Sequence, residues 1–448
     1  MRRRLTTLGA AIVALAASAL MFVAPAHAAA GLHINGTTIV EANGQPFVMR
    51  GVNHPHVWFT GQTDSFADIK ALGANTVRVV LGTGKRWGPS NDVADVIALC
   101  KQNRLICVLE VHDTTGYGEE GAAASLDEAV DYWISQKSAL VGQENHVVIN
   151  IGNEPIGNVN AAQWTAATAA AIGRMRDNGF AHLLMVDGPN WGQDWQQVMR
   201  NNAQTILDAD EQHNTVLSIH MYAVYATAAS IVDYLDHFEA NGWPLVIGEF
   251  GWRFNAGEVD HETLLAEADA RDLGYLGWSW SGNTDPILDM ATNFDPDRLT
   301  TWGERIFNGA NGIRATAREA TIYGGTTPTT PPPTTPPPTT PPPTTPPPAG
   351  ACTATYTVLN QWPGGFQGEV RVTAGSAAIT RWTVTWTFAN GQTVSSAWNA
   401  TVTGTGSAVT ARNMGYNGSL GAGASTTFGF LGSWTGTNGT PVASCTVS

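Results

Sequence analysis

Two glutamates follow short apolar runs in the first part of this 448-residue chain. Glu154 lies in a Gly-Asn-Glu-Pro segment after Val147–Ile151, and Glu249 lies in a Gly-Glu-Phe-Gly segment after Leu245–Ile247. Two carboxyl groups on opposite sides of a glycosidic bond can cleave it, because one protonates the leaving oxygen and the other attacks the sugar or activates water. The pair therefore predicts glycoside hydrolysis. A surface ion pair, the usual role of a single glutamate, does not explain a glutamate that ends an apolar strand.

The neighbours of the two glutamates separate their roles. Asn153 is placed to hold a sugar hydroxyl beside the scissile bond, which favours Glu154 as the acid/base. Arg78 can keep Glu249 ionised, which favours Glu249 as the nucleophile. This assignment predicts retention of configuration, for which the two carboxyl groups should lie about 5–5.5 Å apart.

Eight apolar runs recur through the first 300 or so residues, and segments with helical periodicity separate them. Most runs are rich in Val, Ile and Leu without polar alternation, which is typical of parallel strands buried on both faces. Eight such units predict an α/β fold, a (β/α)8 TIM barrel, with a doubly wound open sheet as the alternative. The runs are Phe47–Val52, Thr76–Leu81, Ile106–Val111, Val147–Ile151, Leu183–Val186, Val216–Ile219, Leu245–Ile247 and Tyr275–Ser279.

Polar and aromatic residues cluster where these runs end, which is where a barrel of this kind builds its active site. A core histidine satisfied by a backbone carbonyl is the usual explanation for one such residue, but not for a whole set at one edge. Strands four and seven face each other across the barrel mouth, so their two glutamates can converge. The set comprises Asn53, His54, Arg78, His112, Asp113, Asn153, Glu154, Asp187, Asn190, Trp191, His220, Tyr222, Glu249 and Trp280.

The sequence predicts specific roles for four aromatic residues of this rim. His220 and Tyr222 lie one pleat apart on one face of a strand and are expected to orient Glu249. Trp58 and Trp191, on the loops after strands one and five, are candidates for stacking on sugars, with core packing as the alternative.

A metal site is not expected on this rim. His54 and His56, with Asp113 elsewhere, lack a third ligand at diagnostic spacing. We expect neither a metal nor a cofactor.

The amino terminus has the layout of a secretory signal peptide over residues 1–28. Arg2, Arg3 and Arg4 precede an apolar run from about Leu8 to Val23, and small residues follow it. The run is shorter than the roughly 20 residues of a membrane-spanning helix. We expect a secreted, extracellular protein without a membrane partner, and an uncleaved anchor is the alternative.

The formal net charge of −14 argues against nucleic acid as a partner, because phosphate binding needs a basic surface. We expect a monomer.

The four cysteines fall into two pairs, for which an oxidising compartment predicts disulfides. Cys352–Cys445 would bracket the second region of the chain. Cys100–Cys107 would tie a helix end to the following strand, with two free thiols as the alternative.

A Thr/Pro tract over residues 326–348 separates two regions of different character, and its repeated Thr-Thr-Pro-Pro-Pro predicts a stiff, extended linker. We place a catalytic domain at 31–325 and a second domain at 351–448. The second region alternates apolar and polar residues between Gly, Asn and Ser, which predicts an all-β, antiparallel sandwich. It contains one carboxylate, Glu369, so it cannot supply a hydrolytic pair, and a binding role is favoured.

Several motifs of the first region, over about residues 31–325, resemble glycoside hydrolase family five, and more closely the bacterial endo-β-1,4-mannanases within it. They are Glu-Val-His-Asp at 110–113, Asn-Ile-Gly-Asn-Glu-Pro at 150–155, Ser-Ile-His-Met-Tyr at 218–222, Gly-Glu-Phe-Gly-Trp at 248–252 and Gly-Trp-Ser-Trp-Ser-Gly-Asn at 277–283. The resemblance implies a retaining double displacement on mannan-type polysaccharide. It implies an active site of Arg78, His112, Asn153, Glu154, His220, Tyr222, Glu249 and Trp280.

The second region resembles a family-two carbohydrate-binding module, whose cellulose-binding members lay exposed aromatic rings on the polymer. The matching positions are Trp362, Trp398 and Tyr416, where the tyrosine offers a smaller ring than the tryptophan common in the family. Trp382, Trp386 and Trp434 are expected in the core. The resemblance implies a cellulose tether for the catalytic domain.

Two other functions fit parts of the pattern. An endo-β-1,4-glucanase or xylanase would use the same scaffold and the same carboxylate pair. A non-catalytic lectin or adhesin would bind polysaccharide through either domain, but it would not need that pair.

Overall fold

The computed structural model describes residues 31–325 apart from 255–256, and residues 352–447 apart from 363, 406, 415–416 and 435–436. The chain divides into two units between Thr329 and Thr330, within the Thr/Pro tract. The predicted signal peptide at 1–28 and the linker at 326–348 lie outside the described residues. Each unit is described by itself.

The first unit contains a closed barrel of eight parallel strands, in the order β12-β3-β4-β5-β6-β7-β8-β9. Every residue of these strands is buried, which explains their apolar runs without polar alternation. The predicted TIM barrel is confirmed. The strands of the unit are β1 (His33–Asn35), β2 (Thr38–Val40), β3 (Arg50–His54), β4 (Thr76–Leu81), β5 (Ile106–Val111), β6 (Val147–Asn150), β7 (Leu184–Asp187), β8 (Thr215–Met221), β9 (Leu245–Phe250), β10 (Arg253–Phe254), β11 (Gly257–Glu258) and β12 (Gly274–Gly277).

Helices alternate with the barrel strands and cover their outer faces. In α3, Leu126, Ala129, Val130 and Trp133 recur at helical spacing and are buried, and a Ser125 capping box starts the helix. The helices are α1 (Ser65–Ala71), α2 (Val93–Gln102), α3 (Leu126–Ser135), α4 (Lys137–Leu140), α5 (Gln163–Asp177), α6 (Val198–Asp208), α7 (Ala228–Asn241), α8 (His261–Ala270), α9 (Thr301–Asn308) and α10 (Ile313–Thr316).

Alternate strand residues belong to two separate apolar clusters. Residues such as Val77 and Ile149 pack outward against the helices. Residues such as Val108, Val148 and Val216 pack with Leu32, Phe47 and their neighbours around the β1–β2 hairpin, at the amino-terminal end of the barrel interior. Inward positions nearer the carboxyl ends are polar, so the barrel has an apolar base beneath a polar mouth.

The second unit is a sandwich of two antiparallel four-stranded sheets, ordered β13-β14-β19-β16 and β17-β18-β15-β20. Trp382 stacks on Phe428 of the other sheet with ring centroids 5.3 Å apart, and Trp386 is also buried, as expected. Trp434 packs against the same core. The strands are β13 (Cys352–Trp362), β14 (Gly365–Ala374), β15 (Trp382–Thr387), β16 (Thr393–Trp398), β17 (Ala400–Thr405), β18 (Ala408–Asn413), β19 (Ser425–Ser433) and β20 (Ser444–Val447).

Both predicted disulfides are present. Cys100 of α2 bonds to Cys107 of β5, with Cα atoms 5.9 Å apart, which resolves the open alternative of free thiols. Cys352 bonds to Cys445, with Cα atoms 5.6 Å apart, and joins the first and last strands of the sandwich. Among the described helices, none combines the length and the apolar character that crossing a lipid bilayer requires.

Candidate active site

Arg78 lies at the centre of the hydrogen-bond network in the polar mouth, and we call its guanidinium and the side chains it contacts the Arg78 hub. Its neighbours Val77 and Val79 pack outward, so the pleat of β4 directs Arg78 into the barrel, where it is fully buried. The guanidinium donates to amide oxygens of three asparagines and to two carboxylates. Its acceptors are Asn53 Oδ1 at 2.8 Å, Asn150 Oδ1 at 2.9 Å, Asn153 Oδ1 at 2.7 Å, Asp187 Oδ2 at 3.2 Å and Glu249 Oε1 at 2.7 Å.

An irregularity in strand pairing presents Glu249 to this hub. The register of β8 and β9 shifts after Ile219, so that His220 pairs with Glu249 rather than with Gly248. Bulges of this kind commonly re-aim a side chain beside an active site. A Cβ at position 248 would lie 2.2 Å from the Ser218 hydroxyl oxygen, so only glycine fits at the shift.

Two groups hold the two oxygens of the buried Glu249 carboxylate. Arg78 Nη1 donates to Oε1, and Tyr222 Oη donates to Oε2 at 2.9 Å. Burial raises the pKa of Glu249 above its ordinary value, against the opposing effects of His220 and Arg78. Burial and the adjacent carboxylates raise the pKa of Tyr222 well above its ordinary value, so Tyr222 stays protonated and donates.

Glu154 follows β6 in a left-handed backbone conformation, with φ of 41°. Its amide donates to Asp187 Oδ2 at 3.3 Å, and its carbonyl accepts from the amide of Gly116 at 3.0 Å. Glu154 Oε1 lies 2.8 Å from His220 Nδ1. These contacts turn the side chain toward Glu249 across the barrel mouth.

His220 lies between the two glutamates. Its Nδ1 is 2.8 Å from a Glu154 oxygen and 3.6 Å from a Glu249 oxygen, and its Nε2 is 3.2 Å from Asp187 Oδ2. Burial alone would lower the pKa of His220, but these three carboxylates raise it to about 10. His220 is therefore a cation at neutral pH.

One oxygen of Glu154, one oxygen of Glu249 and one ring nitrogen of His220 lie within 4.8 Å of one another. This closeness of the carboxylate oxygens favours a retaining pair, whose carboxyl groups lie about 5–5.5 Å apart, over an inverting pair, whose carboxyl groups lie roughly 6.5–9.5 Å apart. Such a trio also has the composition of a metal site. Here a protonated imidazole and the adjacent Arg78 already neutralise the carboxylates, so the arrangement fits proton transfer better than cation binding.

Asp187 and Glu110 both take part in the site, although the sequence placed Asp187 in the rim set without a specific role and did not place Glu110 there. Asp187 contacts Arg78, His220 and the Glu154 amide, and Glu110 Oε1 accepts from His112 Nδ1 at 2.9 Å. Burial alone would raise the pKa of Asp187, but His220 and Arg78 lower it to about 2. Asp187 is the last residue of β7 and Glu110 is the last residue but one of β5, so their polar side chains near the strand ends were the signal that could have identified their roles.

His112 follows β5 and belongs to a group of aromatic side chains. Burial alone would lower the pKa of His112, but Glu110 raises it above its ordinary value. The ring of His112 stacks on Trp278 at 5.5 Å between centroids, with 19° between planes. Trp58 and Trp87 contact the same ring at 5.2 and 5.3 Å.

The structure contradicts the prediction that Trp280 binds substrate, because Trp280 is buried and it is Trp278 that contacts His112 at the mouth. Trp280 is fully buried, donates to Ser65 Oγ at 3.1 Å and packs against Phe307, so it has no surface for a sugar. Trp278 is partly exposed beside His112. Strand β12 ends at Gly277, and beyond it the pleat no longer determines which tryptophan faces the mouth.

The other predicted rim residues have distinct surroundings. Trp58 is 39% exposed, and Trp191 is partly exposed with its indole N–H donating to Glu119 Oε2 at 2.8 Å. The amide oxygen of Asn153 accepts from Arg78, and its amide nitrogen donates to Thr115 Oγ1 at 2.9 Å, so Asn153 supports the arrangement around Arg78.

The residues considered for a metal have other roles. Asp113 accepts hydrogen bonds from the backbone amides of Thr83, Lys85, Arg86 and Trp87, and so organises the loop after β4. His54 is buried, which lowers its pKa to about 3 and keeps it neutral.

The predicted cellulose-binding residues cannot be placed in the same way. The side chains of Trp362 and Trp398, and the whole of Tyr416, lie outside the described residues.

We expect Asp187→Asn to lower the pKa of His220 below about 10, because the change removes one of three surrounding carboxylates. The folded-state pKa of His220 exceeds its ordinary value near 6.5, so its charge stabilises the fold below about pH 6.5, and this contribution is lost as pH rises through the folded pKa. In the variant the loss should occur at lower pH. Imidazole NMR titration measures the shift. Asp92→Asn, beside His56, is the control, and an unchanged His220 titration would contradict the arrangement.

We expect Trp278→Ala to affect mainly catalysis and Trp280→Ala to affect mainly the stability of the fold. Removing Trp278 should lower kcat/KM for polysaccharide about tenfold or more, with little effect on the free energy of unfolding. Removing the buried Trp280 should lower the free energy of unfolding by about 3–5 kcal/mol. Steady-state kinetics and chemical denaturation measure the two quantities. Equal losses of stability in both variants would count against this placement.

Comparison with known families gives a match in each unit. Residues 40–284 match the family described as cellulase (glycosyl hydrolase family 5), and residues 352–448 match the family described as cellulose binding domain. The first match covers more than half of the chain.

Individual relatives agree with this division. The mannan endo-1,4-beta-mannosidase of Streptomyces lividans is 55% identical over 303 residues, 66% of this chain and 79% of that protein. That of Cellvibrio japonicus is 48% identical over 330 residues, 72% of this chain and 76% of that protein. The crystal structure of beta-mannanase from Streptomyces thermolilacinus with mannohexaose is 60% identical, with a TM-score of 0.65, and the likeness covers 66% of this chain and 98% of that one. This chain belongs to glycosyl hydrolase family 5.

Proposed function

We propose that this protein hydrolyses internal β-1,4-mannosidic bonds of mannan-type polysaccharides by a retaining double displacement. The observation that carries the chemistry is the buried pair of Glu154 and Glu249, bridged by His220 with closest oxygens within 4.8 Å. The relatives named as mannan endo-1,4-beta-mannosidases support the choice of mannan.

Each glutamate has a separate role in this reaction. Protonated Glu154 gives its proton to the glycosidic oxygen as that bond breaks, and a Glu249 oxygen bonds to the anomeric carbon, which yields a covalent glycosyl-enzyme. Glu154, now ionised, takes a proton from water. The water oxygen attacks the anomeric carbon and releases Glu249 as a carboxylate.

The surrounding residues support these two steps. Arg78 and Tyr222 hold the Glu249 carboxylate at opposite oxygens, so it needs little reorganisation before attack. His220 is a cation beside Glu154, and it can stabilise the carboxylate that forms when Glu154 gives up its proton. His112, Trp278 and Trp58 provide an aromatic wall beside the pair.

The arrangement of the whole chain follows from the same proposal. We propose a secreted monomer, with a signal peptide at 1–28, a catalytic domain at 31–325, a linker at 326–348 and a cellulose-binding module at 351–448. The match of residues 352–448 to a cellulose binding domain supports a tether to plant cell wall, where mannan coats cellulose.

Substrate choice separates the proposal from the glucanase and xylanase alternatives. We expect reducing-sugar release from β-mannan and none from carboxymethylcellulose. Equal release from both, or release from the second substrate alone, would overturn mannan as the substrate class. A lectin would release sugar from neither.

Substitution of the two glutamates tests their roles. We expect Glu249→Ala to lower kcat on mannan by on the order of 10⁴-fold or more, and Glu154→Ala by about 10²–10⁴-fold. With an aryl β-mannobioside, whose leaving group departs without a proton from Glu154, azide should rescue each variant with opposite stereochemistry: Glu249→Ala gives the α-mannosyl azide, and Glu154→Ala the β-mannosyl azide. NMR of the azide product distinguishes them.

A third glutamate serves as the control for these substitutions. Glu41 is buried near the amino-terminal end of the barrel, and it accepts from the backbone of Thr321 and Ile322. Glu41→Gln should leave kcat unchanged. The reverse pairing of azide products would exchange the two assigned roles.

A pull-down tests the module. We expect the full chain to sediment with microcrystalline cellulose, and a chain that ends at residue 325 to stay in the supernatant while still hydrolysing soluble mannan. Trp362→Ala and Trp398→Ala should each weaken the sedimentation, and Trp382→Phe, within the core, should not. Equal sedimentation of the two chain lengths would rule out the tether.

A further inference from the structure

The loop between β7 and α6 carries two tryptophans whose rings are held in place. Trp191 donates its indole N–H to Glu119 Oε2 at 2.8 Å, and Trp195 donates its indole N–H to Asn158 Oδ1 at 2.7 Å. Both acceptors lie on neighbouring loops of the barrel mouth. Each ring is therefore fixed at its polar edge, which leaves its apolar surface to contact another group.

Trp195 is the more exposed of the two. Half of its surface, 51%, is open to solvent, whereas the ring of Trp191 lies against Gly116, where a Cβ would come within 2.5 Å of it. Val159 and Val224, on the loops after β6 and β8, are also exposed. Isolated exposed apolar side chains are common, but these three lie on consecutive loops of the mouth, where sites of ligand contact concentrate.

The backbone of this loop is unusual. Asn190, Trp191, Asp194 and Gln197 all have positive φ, between 47° and 60°, which costs free energy in residues other than glycine. Backbone strain of this kind clusters at ligand-binding and active sites.

Asp194 holds the loop in this conformation. Its buried carboxylate accepts from the amides of Met199 and Arg200, at 2.8 and 2.9 Å, and from Tyr234 Oη at 2.8 Å. These contacts anchor the loop to the start of α6 and to α7. The conformation that exposes Trp195 is therefore held by the fold.

The loop is also joined to the catalytic acid. Trp191 N donates to Ile156 O at 3.2 Å, two residues after Glu154, and Gly192 O accepts from the amide of His220 at 2.9 Å. Because Glu154 protonates the leaving oxygen, the leaving half of the substrate lies on its side of the mouth. Asn158 lies on the loop after β6 that carries Glu154, and its hydrogen bond to Trp195 joins the next loop to that side.

We propose that Trp195, oriented by Asn158, is a sugar-binding platform for the leaving half of long polysaccharide chains, beyond the sugars next to the scissile bond. The ligand class is β-1,4-linked mannan, so the inference rests on the proposed function. Binding energy gained at this platform makes the enzyme favour long chains and cleavage within them.

The test compares substrates that do and do not reach the platform. We expect Trp195→Ala to lower kcat/KM for mannohexaose about tenfold, equivalent to about 1.4 kcal/mol, and to move the cleaved bond toward the reducing end, as read by labelling with ¹⁸O-water. The same variant should hydrolyse dinitrophenyl β-mannobioside like the wild type, because its leaving group does not reach Trp195. Trp195→Phe should restore part of the preference for the longer chain.

Controls separate the possible failures. Ile322→Ala removes a comparably exposed apolar side chain at the amino-terminal end of the barrel and should change neither rate. If Trp195→Ala lowers both rates equally, or neither, the platform is wrong while the proposed function stands. If the wild type cleaves neither the aryl mannobioside nor mannohexaose, the proposed function itself fails.

Discussion

The buried guanidinium of Arg78 is the interaction on which the active site depends. A buried cation is tolerated only where anions and hydrogen-bond acceptors compensate its lost hydration. Here Glu249 and Asp187 supply the charge, and three asparagines supply oxygens. The same contacts that compensate Arg78 also hold the nucleophile in place. Stability of the mouth and readiness for catalysis therefore have one physical origin.

The barrel makes this arrangement possible because its interior is divided along the strand direction. Apolar side chains such as Val108 and Val216 fill the base, and their inward neighbours two residues later or more, such as Glu110 and His220, face the mouth. The base of the barrel below the site is therefore apolar. In that setting His220 remains charged between carboxylates, and it couples the acid Glu154 to the nucleophile Glu249.

The mouth loops extend the site beyond the bond that is cleaved. Their tryptophans are held by hydrogen bonds at the indole nitrogen, and their backbone adopts conformations that only firm anchoring maintains. The rigid barrel supplies the chemistry, and the loops supply length of contact with a polymer. The second unit has a single carboxylic side chain, Glu369, and matches a cellulose binding domain.

The sequence by itself determined the barrel, the sandwich, the Cys352–Cys445 disulfide and the two glutamates, because apolar periodicity and motif order are local properties of the chain. It left the Cys100–Cys107 pair open, and the tertiary structure decided that pair. It did not determine the roles of Asp187 and Glu110, since their importance comes from contacts with residues distant in sequence. Nor did it distinguish Trp278 from Trp280, because the alternation of side chains is lost once β12 ends. Only the tertiary structure decided these points, together with the register shift that brings Glu249 opposite His220, because a shift depends on how two strands pair.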